Sequence, residues 1–264
     1  MLKNISILLV ALLLSLSAVT VFAAHPLATD DTGTQGMLKF QLETTGEFGW
    51  DRETASGVTT KADYQTLNAT LTAGVLESLD AVISYPFTWQ HIEDSTGNTV
   101  SNTGLNDLSL ALKWRFLELG PASFAVKPCV TLPTANRDKY LGAGRVSYGA
   151  TLISTIDLKP LAVHANVGYT NQKYTDADKD GSRASIWNMS LAGTAEVTKG
   201  LQIVAEVGTI SNADTTNSTW QTCLLGGVIY SPVENLDLSL GFKGSVTRPE
   251  IDKALLAGVT FRFP

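Results

Sequence analysis

MLKFQLETTGEFGW, residues 37–50, alternates along most of its length. Leu38, Phe40, Leu42, Phe48 and Trp50 share one parity, while Lys39, Gln41, Glu43, Thr45 and Glu47 take the other. Side chains on a β-strand point alternately to opposite faces, so this spacing predicts a strand with one oily and one wet face. The stretch 107–116, DLSLALKWRF, repeats the pattern: Leu108, Leu110, Leu112, Trp114 and Phe116 stand against Asp107, Ser109, Ala111, Lys113 and Arg115. Helical periodicity is hard to find after Gly36.

Working outward, twelve segments of this kind can be read: 37–50, 62–75, 80–92, 106–118, 122–132, 145–158, 161–174, 185–198, 201–211, 219–231, 235–246 and 253–263. Most exceed the mean strand of about six residues and match the ~9–11 residues a tilted strand needs to cross a bilayer. Short links near residues 77–79, 119–121, 157–160, 198–200 and 232–234 alternate with longer polar ones at 51–61, 94–105, 133–144, 175–184, 211–218 and 247–252. An even strand count with short turns on one rim and long loops on the other is the layout of bacterial outer-membrane barrels. The expected fold is all-β, a transmembrane antiparallel up-and-down β-barrel of about twelve strands, with both termini on the periplasmic side. Trp50, Trp89, Trp187 and Trp220 lie where strands meet long loops, and Phe40, Phe116, Phe124, Tyr230 and Phe263 lie near the other rim. Two aromatic bands suit the two headgroup levels. A soluble β-sandwich shares the alternation but buries its apolar faces against each other; strand length, loop asymmetry and rim aromatics favour the barrel.

The compartment is read from the start of the chain. Lys3 precedes an uncharged apolar run over residues 5–21, and Val21-Phe22-Ala23 ends in the small-residue pattern of signal peptidase. The reading is a cleaved signal peptide, 1–23, cut after Ala23 or Ala24; a lead-in, 24–36, that either hangs in the periplasm or plugs the lumen; and a barrel, 37–264. With a net charge of −6 and 17% charged residues, there is no basic excess to suggest nucleic acid. Cys129 and Cys223 fall on strands almost opposite each other around a ring of twelve, farther apart than the ~7 Å a disulfide spans, so two sheltered thiols are expected. The last strand ends Val259-Thr260-Phe261-Arg262-Phe263, similar to the C-terminal signal read by the outer-membrane assembly machinery, although Pro264 follows. Outer-membrane lipids, that machinery and a small-molecule solute are the expected partners.

The wet parity gathers a candidate lumen lining: Lys39, Glu43, Glu47, Asp107, Lys113, Arg115, Lys127, Asp157, His164, Asn166, Glu196, Glu206, Asp237, Lys243 and Arg262. The two signs nearly balance, unlike the single-sign rings of selective ion pores. Such side chains either fill and charge-pair a small barrel or form a polar constriction on a solute path. Asp176, Asp178 and Asp180, with Gly181, match the first half of a calcium loop, but the twelfth position is Trp187 where a bidentate Glu is needed. Asp and Gly are also ordinary turn residues, and no other cofactor is expected. Of three histidines, only His164 is predicted to face the lumen, without a serine placed for a lipid hydrolase triad, so no catalytic residue is assigned.

HPLATDDTGTQG, residues 25–36, running into Lys39-Phe40-Gln41-Leu42-Glu43, resembles the start of the outer-membrane transporter family named for the meta-pathway of phenol degradation. The resemblance implies a barrel that moves aromatic or other hydrophobic compounds, and it carries over no catalytic residues. The expected function is therefore passive passage of small solutes across the outer membrane. The alternatives are a structural or adhesive barrel with a closed lumen and partner-binding loops, and, third, an outer-membrane lipid-modifying enzyme.

Overall fold

The structure, a computed structural model, describes residues 25–264 apart from 56, 140, 176–179 and 249–250. The strands are β1 (Phe40–Ala55), β2 (Val58–Leu76), β3 (Leu79–Asp94), β4 (Thr99–Leu105), β5 (Leu108–Leu119), β6 (Ala122–Leu132), β7 (Ser147–Leu158), β8 (Leu161–Asn171), β9 (Ser185–Thr198), β10 (Leu201–Ile210), β11 (Gln221–Val233), β12 (Leu236–Ser245) and β13 (Lys253–Phe263). Neighbours pair antiparallel, and β1 closes on β13 from Phe40↔Phe263 to Trp50↔Lys253. β4 and β5 both pair with β3, one over residues 87–93 and the other over 79–84. They are two halves of one stave interrupted at Asn106-Asp107, so thirteen strands make a closed barrel of twelve staves. Closure leaves no sheet edge to be satisfied within lipid.

The parity read from the sequence sets the two faces. Leu42, Leu71, Ile83, Leu112, Leu152, Leu191, Leu224 and Leu240 point outward and are exposed, whereas Thr72, Asp80, Lys113, Thr155, His164, Glu206, Asp237 and Thr260 are buried inside. Apolar surface that encircles a closed sheet needs lipid as its solvent. That arrangement excludes the sandwich. Cys129 on β6 and Cys223 on β11 are not bridged.

Trp50, Trp89 and Trp187 stand exposed on the outer face near the long-loop rim, Trp89 against Phe87 (4.4 Å) and Trp187 against Tyr169 (4.9 Å). Trp220 sits one residue before β11 instead of on it, half-buried. At the opposite rim Phe40, Phe261 and Phe263 stack, and Trp114 joins Phe116 at 5.9 Å. Trp114 was expected only as one of an alternating series; its pairing with Leu79 beside a short turn makes it part of that lower band.

Two expected loops are hairpins instead. Residues 51–61 continue the β1–β2 ladder to Ala55↔Val58, and 99–105 form β4. Arg52, Glu53 and Thr54 facing Thr59, Thr60 and Lys61 are polar on both faces because this part stands above the lipid, so the periodic signal vanishes while backbone pairing goes on. The first strand also starts later than expected, since Gly36 and Leu38 both adopt left-handed backbone (φ 84° and 62°) and turn the chain before Phe40.

Leu240 lies at mid-strand on the outer face, opposite Val228 and Ala257. Leu240→Arg is expected to lower the stability of barrel folding into lipid vesicles by about 2–4 kcal/mol, measured by urea titration, whereas Thr54→Arg, beyond the girdle, changes it little.

Candidate functional site

The lumen is occupied by the lead-in. Residues 25–36 touch the wall in descending strand order, meeting β12 at His25 and reaching the β2–β3 turn at Thr34. The contacts on the way are polar and specific. Glu206 on β10 accepts the N–H groups of both Ala28 and Thr29 through one oxygen (2.8 and 2.9 Å). Thr32 N–H donates to Thr155 Oγ1 on β7 (3.1 Å). Thr34 Oγ1 donates to the Glu77 carbonyl (2.8 Å), and Gln35 N–H donates to Asp80 on β3. Asn166 on β8, with its amide turned to satisfy both groups, accepts Asp30 N–H (2.6 Å) and donates to the Asp30 carbonyl (2.9 Å). A segment with no periodicity thus acquires a fixed path from side chains that line the barrel.

The centre of this path is ionic. Asp30 Oδ1 lies 2.9 Å from Lys113 Nζ and Asp30 Oδ2 lies 2.7 Å from Lys127 Nζ, while Asp31 Oδ1 lies 3.4 Å from Lys113. Burial would raise the Asp30 carboxyl, but the ammonium groups of Lys113 and Lys127 outweigh it and hold it well below the usual carboxylate range. Burial pushes the neighbouring Asp31 up, and Lys113 only partly offsets that.

The two ends of the lead-in see different surroundings. His25 and Pro26 lie in a trough made by lumen-facing glycines: a Cβ on Gly241 would come within 2.6 Å of Pro26, and one on Gly258 within 2.6 Å of the His25 ring. Leu27 then packs into an apolar cluster with Ala192, Val204, Leu225, Ile229, Ala254 and Leu256. These wall residues come from β9, β10, β11 and β13, and they depart from the simple alternation that puts apolar side chains outside. On the other side, between the lead-in and the walls from β1 to β9, lies a cavity of about 440 Å³ with a largely polar lining that includes Asn68, Thr70, Ser84, Ser109, Lys127 and Asn188. The lumen is therefore two-faced, polar around the cavity and with an apolar cluster on the opposite wall, set among charged groups such as Glu206 and Asp237.

The residues proposed from the sequence divide accordingly. Glu43, Lys113, Lys127, His164, Asn166 and Glu206 come together around the lead-in, with Glu43, Lys113, Lys127 and Asn166 also lining the cavity. Lys243 with Glu47, and Arg262 with Asp237, form wall-to-wall pairs at 2.5 Å. Lys39 is exposed at the short-turn rim, and Arg115 pairs with Glu118 near that rim (3.0 Å). Glu196 stands opposite Gln202 beside the β9–β10 turn. Asp107 sits at the β4–β5 break and accepts the N–H groups of Ala135 and Ala143 (3.0 and 3.1 Å), tethering the loop that follows β6. His164 is fully buried beneath the lead-in, with Nδ1 3.0 Å from Thr155 Oγ1. Of the calcium pattern, Asp176 and Asp178 lie outside the described residues and Asp180 is exposed.

A closed barrel with an apolar girdle and a structured segment threaded through its lumen belongs to the class of transmembrane β-barrels with an internal plug. More narrowly, the chain belongs to the family of the MetA-pathway of phenol degradation, whose model matches residues 28–263 and so begins inside the lead-in. No curated protein matches the chain by sequence. Among solved structures it is similar to an outer-membrane channel from Pseudomonas putida F1, with a TM-score of 0.66 and 15% identity over 88% of this chain and 98% of that one. It is also similar to the porin NanC (0.56, 13%, 83% and 98%) and to the translocator domain of the autotransporter NalP from Neisseria meningitidis (0.55, 12%, 86% and 89%). At these identities the shared property is the barrel fold.

Removing one partner of a buried ion pair costs roughly 3–5 kcal/mol. Lys113→Met is therefore expected to speed amide exchange in residues 27–32 about a hundredfold or more, with exchange in β8–β12 unchanged. Acidification gives a sign test. Asp30 is held low when seated, so its contribution is full above the ordinary carboxylate range and is lost only as pH falls through the depressed value. Asp31 is raised, so mild acid relieves a cost. Lowering pH from 7 to 5 is expected to leave the lead-in protected in the same exchange measurement.

Proposed function

We propose that this chain is exported by its signal peptide to the outer membrane, where it passively conducts small solutes, favouring those with an apolar or aromatic face. The observation that carries this reading is the two-faced lumen. A filled structural barrel has no use for an apolar strip running up one inner wall, covered where it meets the lead-in by Leu27. A hydrophobic solute does, because each buried side-chain-sized apolar group is stabilised by about 1.5–3 kcal/mol relative to water. The polar cavity opposite suits the hydroxyl of a solute such as a phenol. Membership of a family named for phenol degradation, and likeness to a channel from Pseudomonas putida, support the same reading. Passage requires the lead-in to shift, since it crosses the lumen from β12 to β3.

That same crossing favours the second reading, a closed barrel with a structural role. The two differ in flux. In the channel reading, vesicles carrying the protein admit small aromatic solutes, and deleting residues 26–35 raises both flux and single-channel conductance. Ile229→Asp, which puts charge on the apolar strip, is expected to cut aromatic flux about tenfold, the equivalent of 1.4 kcal/mol, without reducing ion conductance. Absence of solute flux in the wild-type and deleted forms alike would remove the channel reading and leave the structural one.

A further inference from the structure

We propose that Glu43 is the receptor for the α-ammonium group that signal-peptide cleavage creates at the start of the mature chain, so that processing supplies the charge that seats the lead-in. The backbone nitrogen of His25 donates to the Glu43 carboxylate inside the lumen, and Thr260 Oγ1 approaches Glu43 Oε2 at 3.3 Å. Of the other lumenal acids of this region, Asp30 and Asp31 have Lys113 and Lys127, Glu47 has Lys243 and Asp237 has Arg262, while Glu206 and Asp80 accept peptide N–H groups of the lead-in. Among the described residues, no Lys or Arg lies within ion-pair distance of Glu43; the charges that act on it from farther off are Lys127 and, with the opposite sign, Asp30. A largely enclosed carboxylate held only by a peptide N–H and a hydroxyl is costly unless a cation joins it.

The His25 ring does not supply that cation. Burial lowers its imidazole to about 4 despite the nearby carboxylate of Glu47, and the ring is already engaged with Ser239 Oγ at 2.8 Å. The α-nitrogen can. Hydrolysis consumes one water: its oxygen completes the carboxyl of the departing signal peptide, the C–N bond breaks, and the nitrogen leaves as an amine that takes up a proton. Cutting after Ala24 puts the ammonium on the nitrogen Glu43 already holds. Cutting after Ala23 puts it one residue away, within about 3.8 Å of chain. Pro26 in its glycine trough and Leu27 in the apolar cluster keep that end of the lead-in in place, so the carboxylate and the new charge meet. An uncleaved chain would bring an uncharged amide to the same spot.

The readouts need no solute, so they stand or fall separately from the channel reading. The intact mass of protein extracted from membranes is expected to begin at Ala24 or His25; any other start overturns the proposal. The α-amine, titrated by its reactivity toward a small acylating reagent at a series of pH values, is expected to lie above the ordinary ~7.7–8.0 and to fall by about one unit in Glu43→Gln. An ordinary value that Glu43→Gln leaves unmoved overturns it. Raised by the carboxylate, the amine contributes fully below its ordinary value and is lost as pH rises through the raised one. Acetylating the α-amine before refolding and making Glu43→Gln should each speed exchange in residues 26–30 about tenfold, and no further when combined. Additive effects, or none with the barrel strands still protected, would refute the pairing.

Discussion

Everything in this molecule depends on a sheet that closes on itself with its oily face outward. Closure lets the backbone groups along the wall pair with one another in place of water, and the β1–β13 seam that completes it runs without a shift from Phe40↔Phe263 to Trp50↔Lys253. The inversion also fixes what the interior must contain. Once the leucines face lipid, the other parity brings lysines, acids and amides into a space too narrow to hydrate them as bulk water would. Most of the chemistry described above is the consequence of satisfying that interior.

Part of the solution is local to the wall: Arg262 pairs with Asp237 on the neighbouring stave, Lys243 on β12 reaches past β13 to Glu47 on β1, and hydroxyls and amides such as Asn68, Thr70 and Ser84 bond one another. The remainder comes from the lead-in. Its acids match Lys113 and Lys127, and its peptide N–H groups match Glu206. The wall and the segment are each incomplete alone, and their mismatch in sign is what holds one inside the other. The same logic explains why the lead-in is a sound candidate for a gate. It contributes nothing to the sheet, so it can shift without breaking a single ladder hydrogen bond of the barrel.

How much of this was legible beforehand follows from which signals are periodic. The staves from β5 to β13 could be placed within a few residues, since period two is imposed by lipid on one side and water on the other. The upper β1–β2 hairpin and β4 were hidden because neither face there meets lipid. The path of residues 25–36 was hidden for another reason: partners such as Glu206 lie far along the chain, and nothing in a local window records them. Two clues existed. Gly241 and Gly258 fall on the lumenal parity, and a glycine inside a strand marks close approach of another backbone. Paired apolar residues, Ile203-Val204 on β10, Leu224-Leu225 and Val228-Ile229 on β11, and Leu255-Leu256 on β13, break the alternation, which places one member of each pair inside.

Those doublets bear directly on function. A barrel that only had to be stable could fill its lumen with charge pairs throughout, as the wall near β12 and β13 does at Asp237 and Arg262. Instead, β10, β11 and β13 each turn at least one large apolar side chain inward, and these pack with Leu27 of the lead-in. Leu27 lies next to Pro26 in its trough and to Ala28, whose amide Glu206 holds, so the contacts that fix the lead-in also decide how much of that strip is covered. Apolar surface that is covered by a removable segment, and not by the wall itself, is surface the fold keeps in reserve for something else to touch. On the reading proposed above, that something is a solute moving through the lumen.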